Sequence, residues 1–311
     1  MNPPLMQNSH ENGSFAALQL LFTAICAWEL IYHFFRFAIK LVLTNHPDWI
    51  LAESSSNEVN SNESKASGEQ NGQPTSKIHE TNRNLIQRGP SYVTSQIHAI
   101  YASYRGILHL YNLQSVSNLD KLFIPSQHSI NNVTTPRWMH LQVATTNTIF
   151  LSYLLYDLLH VILQYPKLGG IDTILHHVLF AICSVINGTY GIMAHPFGWL
   201  VVGEISTIFL NWRWFLLKSG RRDGDWINVV NGLFAFSFFV TRNVIYTCGM
   251  VHLFWTSWEE VKSLPEISGV PLGWFGMTVG CMFLGWALNV VWGWKILNMM
   301  ISGGGKKRKE Q

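Results

Sequence analysis

From Leu175 to Leu216 the chain reads LHHVLFAICSVINGTYGIMAHPFGWLVVGEISTIFLNWRWFL, apolar far beyond the stripe of a surface helix yet carrying a histidine pair, a glutamate and an arginine. Apolar runs of this length cross membranes as helices, because only a helix or a closed barrel satisfies every backbone hydrogen bond where there is no water. Pro196, just after His195, removes a backbone donor and divides the stretch into two such helices. Ionisable side chains inside segments like these are costly in lipid and are functional suspects by default.

The rest of the chain extends this constraint. Hydrophobic residues make up 48% of the 311, charged ones only 13%, and tryptophans number 13, the balance of an all-α, multi-pass transmembrane helical bundle rather than of a water-soluble or nucleic-acid-binding protein. One polar insert, Asp48 to Arg88, rich in Ser, Asn, Gly and Glu, is too poor in apolar surface to fold alone. All four cysteines lie in apolar segments and read as small hydrophobes, and no zinc spacing or third metal ligand is visible, so no metal or other cofactor is expected. Met1 to Gly13 has no lysine or arginine and the next apolar run has no small-residue cleavage site, which predicts an uncleaved first span.

Seven spans follow: Phe15–Leu43, Ser91–Tyr111, Met139–Tyr165, Asp172–Met193, Pro196–Lys218, Trp226–Phe254 and Pro271–Ile301. The expected organisation is a lumenal tail (1–14), a first transmembrane helix (15–43), a disordered cytoplasmic linker (44–90), a continuous six-helix bundle (91–301) and a basic cytoplasmic tail (302–311). Glu29, His33, Arg36 and Lys40 form one polar stripe at helical spacing, read as a solvated or snorkelling edge. Gly276 and Gly280 are spaced for close helix contact, and Gly303 to Gly305 are expected to end the last helix.

Orientation comes from the loops. With the N-terminus outside, twelve loop lysines and arginines fall on the cytoplasmic side and three, Lys121, Arg137 and Lys262, on the other. Asn12 and Asn132 are then accessible glycosylation sequons, Asn62 is cytoplasmic and Asn187 lies within a span. Lys307-Arg308-Lys309-Glu310-Gln311 is a K-x-K-x-x pattern resembling the dilysine address read by a retrieval coat, which predicts a protein of the endoplasmic reticulum membrane.

A rise of about 1.5 Å per residue converts each position to a depth. His98, Asp157, His177 and Arg213 fall roughly 8 to 12 Å from the cytoplasmic helix ends, and Arg105, Glu204 and Arg242 nearer 20 Å, roughly mid-bilayer. Five helices thus feed one polar interior. Glu204, Thr207 and Asn211 share a face, Arg213 points the other way, and Arg242 or Arg105 is the expected partner of Glu204. Asp157 and His160 are spaced to touch. His176 and His177 diverge by about 100°, so one of them is expected to face the cavity, while Asp172 is placed to cap their helix and to orient His176.

These residues resemble the TLC-domain family, which includes the ceramide synthases and a branch of smaller TLC-domain-containing lipid proteins. The resemblance covers about Ser91 to Ile301. His176-His177 stand where the synthases have a histidine pair, and Glu204 and Thr207 where they have two aspartates. SVINGTYGIMAH lacks the Ser-Tyr and arginine of the synthase motif, whereas GEISTIFLNWRWFL is similar to the smaller branch; Ser95 and His98 in SQIHA resemble the first helix of the domain, and Asp157, Arg242 and Asn243 fall on later family-like helices. The resemblance implies a barrel of six transmembrane helices around a lipid-accessible cavity, preceded by one extra helix, and a role in membrane lipid homeostasis with membrane lipids or acyl chains as partners. His176, His177 and Glu204 are the expected catalytic residues if there is turnover, and His98, Arg105, Asp157, His160, Asn211, Arg213, Arg242 and Asn243 the lipid- or substrate-binding ones. The alternative to binding is an N-acyltransferase of sphingolipid type, with acyl-CoA as co-substrate and one histidine as base or transient acyl carrier.

Overall fold

In the computed structural model, residues 4–45, 74–123, 137–219 and 225–307 are described, and these are helical apart from short turns and one isolated bridge between Phe123 and Ile192. Helix α1 is Pro4–Asn45, α2 Pro74–Asn112, the short α3 Asn118–Leu122, α4 Arg137–Leu163, α5 Ile171–Tyr190, α6 Ala194–Val202 and α7 Ile205–Lys218. A long α8 spans Asp225–Thr256, followed by α9, Trp258–Ser268, and α10, Leu272–Lys307. Six segments among the described residues are long and apolar enough to cross a membrane: α1, α4, α5, α6 with α7, α8 and α10. The chain is a multi-pass helical bundle. Helix α2 lacks the apolarity of the other six because it carries His98, Arg105 and His109, and it packs instead among α1, α4, α6 and α7.

Two expectations at this end of the chain are corrected. Residues 74–90 are helix rather than linker: Pro74 opens α2 at the position where a missing N–H costs nothing, and Leu85 is buried. Helix α1 packs on both α2 and α4. Its Trp28 indole donates to Ser152 Oγ at 2.9 Å, and Tyr32 lies against the His160 ring with centroids 4.4 Å apart. Glu29 is therefore not part of a free edge. Its Oε1 meets His160 Nε2 at 3.1 Å across the α1–α4 contact, while His33, Arg36 and Lys40 stay exposed.

The turn between α5 and α6 is built on two left-handed residues. Gly191 ends α5 at φ 64°, returning its N–H to the Asn187 carbonyl, and Met193, fully buried at φ 61°, donates its own N–H to Leu122 of α3. Gly170, not Asp172, is the N-cap of α5; Asp172 sits in its first turn, with no side-chain capping bond. The fifth expected span also breaks, with α6 ending at Val202 and α7 starting at Ile205. Helix α10 runs on through Gly303 to Gly305 to Lys307, for each glycine costs a helix only about 1 kcal/mol. Gly276 and Gly280 meet nothing within 4 Å, so they make no helix contact among the described residues.

Helices α2 and α6 approach almost backbone to backbone. A Cβ added at Gly106 would lie 2.8 Å from the Val202 amide nitrogen and as close to the Val201 and Val202 methyls. Gly106→Leu is thus expected to lower unfolding stability in detergent by about 1–3 kcal/mol, the usual range for overpacking. Gly232→Leu, at a position with open space around it, is the matched control and should change little.

Candidate intramembrane polar cavity

One cavity of about 200 Å³ lies inside the bundle, lined from α2, α4, α5, α6, α7, α8 and α10. Its polar groups are Ser95, His98, Asp157, His176, His177, Glu204, Thr207, Arg242 and Asn289, set against apolar walls that include Phe150, Leu154, Phe180, Leu200, Leu288 and Trp292.

The first ion pair crosses α4 and α5. His177 Nε2 lies 3.0 Å from Asp157 Oδ2, and Nδ1 lies 2.9 Å from the Thr173 carbonyl one turn back. A carbonyl only accepts, so Nδ1 carries a hydrogen. The contact with Asp157 is then a hydrogen bond only if Nε2 or the carboxyl also carries one. Either way the pair is neutral overall, and neither His177 nitrogen is free for a ligand. Asp157 therefore faces His177 and not His160, which belongs to Glu29 and lies outside the cavity.

His176 behaves differently. Its ring stands edge-on to Phe180 with centroids 4.5 Å apart and is tilted against Trp292 at 6.5 Å, and among the described residues it makes no hydrogen bond. Both histidines line the cavity, where only one was expected to face it. The lining wraps around the helix far enough to take in side chains that diverge by about 100°.

The second ion pair is made where the fifth span breaks. At Gly203 and Glu204 the helical ladder tightens to three-residue bonds, from the Ser206 N–H to the Gly203 carbonyl at 3.3 Å and from Thr207 to Glu204 at 3.0 Å. Arg242 fills the irregularity. Its Nε donates to the Gly203 carbonyl at 3.1 Å and to Ser206 Oγ at 2.9 Å, and its Nη2 to Glu204 Oε1 at 3.1 Å and to Thr207 Oγ1 at 3.2 Å. A Cβ on Gly203 would sit 3.4 Å from Arg242 Cγ and 2.9 Å from the Leu200 carbonyl, so a side chain there would crowd the arginine. Arg242 itself lies in a π-helical turn of α8, Phe239–Ile245, of the kind that concentrates at functional positions. Of the two expected partners of Glu204, Arg242 is the one found.

The other candidates separate. His98 lines the cavity, stacked on Tyr153 at 3.7 Å, with its buried Nδ1 unpartnered among the described residues. Asn211 stands one layer back, donating to Ser95 Oγ at 3.1 Å. Arg213 binds Asn231 Oδ1 at 2.8 Å between α7 and α8, outside the cavity. Asn243 turns toward α10, where its amide lies against Gly293. Arg105 donates to Thr146 Oγ1 and to the Gln142 carbonyl, again away from the cavity. Asn289, Tyr153 and Trp292 are lining residues that spacing did not single out; an asparagine within a long apolar span was the available signal for the first. Among the described residues no cluster of three or more His, Cys, Asp or Glu is placed to hold a metal.

Residues 90–298 match the family model of the TLC domain. The chain belongs to the TLC-domain family. Every lining residue, Ser95 to Trp292, falls within the TLC domain, whereas α1 lies before it. The TLC-domain relatives include TLC domain-containing protein 4 of Xenopus tropicalis, 29% identical over 164 residues, which are 52% of this chain and 59% of that protein. TLC domain-containing protein 4-B of Danio rerio is 27% identical over 183 residues, 56% of this chain and 64% of that one. TLC domain-containing protein 4 A of Dictyostelium discoideum is 28% identical over 115 residues, 36% and 44% of the two chains. The chain thus matches less than two thirds of the length of these relatives. No solved structure matches it.

Proposed function

We propose that this TLC-domain membrane protein handles an acyl lipid whose polar end sits in the cavity, acting in membrane lipid homeostasis. What carries this reading is the charge balance of the lining: His177 answers Asp157 and Arg242 answers Glu204, while each carboxylate keeps one oxygen without a partner among the described residues. His176 and Asn289 add an imidazole and an amide. A neutral site rich in acceptors suits an uncharged or amine-bearing head carrying hydroxyl or amide groups. At about 200 Å³ the cavity is smaller than the ~300–1,000 Å³ of sites that enclose a whole ligand, so the lipid chain continues along the apolar wall and beyond. The membrane is that of the endoplasmic reticulum, with α2 as the seventh span, the N-terminus lumenal and the C-terminus cytoplasmic. The sequons and the basic C-terminal pattern on which part of that placement rests lie outside the residues whose side chains are described, apart from Asn187 within α5.

Native mass spectrometry of the full chain released from nanodiscs is the test. A retained acyl lipid is expected, and Leu288→Trp, which fills the cavity, should remove most of it. Equal lipid retention by the variant and the unaltered chain would sink the reading.

The unbonded ring of His176 favours one second reading, acyl transfer from acyl-CoA to a long-chain amine. The amine nitrogen forms a bond to the thioester carbonyl carbon, the carbon–sulfur bond breaks, and His176 takes the amine proton and passes it to the departing thiolate. Thr207, standing where a synthase has its second aspartate, weighs against it. Formation of an amide by pure protein would decide for transfer.

A further inference from the structure

A second polar cluster lies outside the cavity, between α2 and α4. Arg105 Nε donates to Thr146 Oγ1 at 2.9 Å, and one Nη2 hydrogen goes to the Gln142 carbonyl at 3.1 Å. Thr146 has a single hydroxyl hydrogen, which it gives to the same carbonyl at 2.9 Å. Its oxygen must therefore accept from both Arg105 and His109, whose Nε2 is 3.0 Å away. This accounting fixes the guanidinium in place while leaving three of its five N–H groups without a partner among the described residues. No carboxylate pairs with it among the described residues.

A guanidinium in a membrane bundle is answered by acidic groups or by backbone carbonyls, and here the described residues supply one carbonyl and no carboxylate. Arg105 stands seven residues before Asn112 at the end of α2, about 10 Å along the axis. Helix α4 runs antiparallel: His98 stacks on Tyr153, while Arg105, farther along α2, reaches back to 146 and 142. The Gln142 contact therefore draws the guanidinium toward the bundle's end. Tyr111, one residue before the end of the same helix, is 73% exposed, the placement of an aromatic at a head-group boundary. Rise alone puts the Arg105 backbone near mid-depth, but its side chain reaches from there toward the end of the bundle, where the nearest anion in a bilayer is the lipid phosphate, and a rigid guanidinium fork matches it in charge and geometry.

We propose that Arg105, held by Thr146 and Gln142 beside His109, is a binding site for the phosphate of a membrane phospholipid at the end of the bundle where α2 stops. The site is separate from the cavity and does not depend on what the cavity holds.

The test uses the full chain in detergent with three probes: dioleoyl phosphatidylglycerol, a galactosyl diacylglycerol with the same acyl chains, and inorganic phosphate. Affinity is read by native mass spectrometry and by the shift in Tm with added probe. Phosphatidylglycerol is expected to bind the unaltered chain about tenfold more tightly than Arg105→Gln, the scale of one hydrogen-bonded charged contact, while the galactolipid binds both alike. Thr146→Val, which keeps the cation but releases the fork, should fall between them and serves if Arg105→Gln does not fold. The loss caused by Arg105→Gln should persist on a Leu288→Trp background, which separates this site from the cavity. Equal phosphatidylglycerol affinity in the unaltered chain and the Arg105 or Thr146 variants, or no preference over the galactolipid, overturns the proposal. Inorganic phosphate matching the phospholipid at equal concentration would overturn its assignment to a lipid.

Discussion

Arg242→Ala is expected to destabilise the bundle by about 3 kcal/mol, the low end of the cost of removing one partner from a buried ion pair, because both side chains are part-buried. The substitution strands the Glu204 carboxylate inside the bundle and withdraws a donor from the Gly203 carbonyl, Ser206 and Thr207 together. Most of the loss is the cost of leaving a charge uncompensated rather than the worth of the pair itself. Pairing it with Glu204→Gln should therefore recover a measurable part of the stability, where two independent lesions would simply add. Reversible unfolding in mixed micelles provides the numbers. A loss below about 1 kcal/mol for Arg242→Ala, typical of exposed pairs, would show that the contact is solvated.

The two adjacent histidines should fail in different ways. His177→Ala leaves Asp157 without its partner and is expected to cost about 3 kcal/mol of stability, by the same reasoning as for Arg242. His176→Ala removes aromatic contacts with Phe180 and Trp292 but no hydrogen bond among the described residues, so stability should change by less than about 1 kcal/mol. On the proposed reading it should lower lipid retention or, if acyl transfer operates, cost a factor of about 100 or more in rate. Thermal unfolding and lipid retention measured on the same two proteins separate the effects. Equal losses of stability at both positions would show that His176 braces the helices as His177 does.

The bundle was legible because the bilayer requires long apolar segments, and those announce themselves one helix at a time. Which side chains meet was less so. Asp157 and His160 have the spacing of a contact, yet each turns to another helix, one to His177 and the other to Glu29. Spacing within a helix says nothing of what stands opposite. Depth, likewise, ranked Arg105 and Arg242 as equals, since it is an axial coordinate and their fates were decided by direction around the axis. The π-turn that aims Arg242 and the break at Gly203 that receives it are departures from the regular periodicity used to read the sequence. The stripe on α1 was misread at Glu29 for a related reason: a polar face looks the same from sequence whether lipid or another helix lies beyond it. The histidine pair, Glu204 and Arg242 were recoverable because charge in an apolar run is rare enough to stand out.

The pairing of both carboxylates has an electrical consequence. A membrane potential does about 2.3 kcal/mol of work per 100 mV on an elementary charge carried across the bilayer, and none on a displacement of zero net charge. With Asp157 matched by His177 and Glu204 by Arg242, an uncharged head group entering or leaving between them moves no charge through the field. The chamber is thus insulated from voltage by its own stoichiometry, so on the proposed reading its occupancy by a lipid with an uncharged head should follow the composition of the surrounding bilayer and not its polarisation.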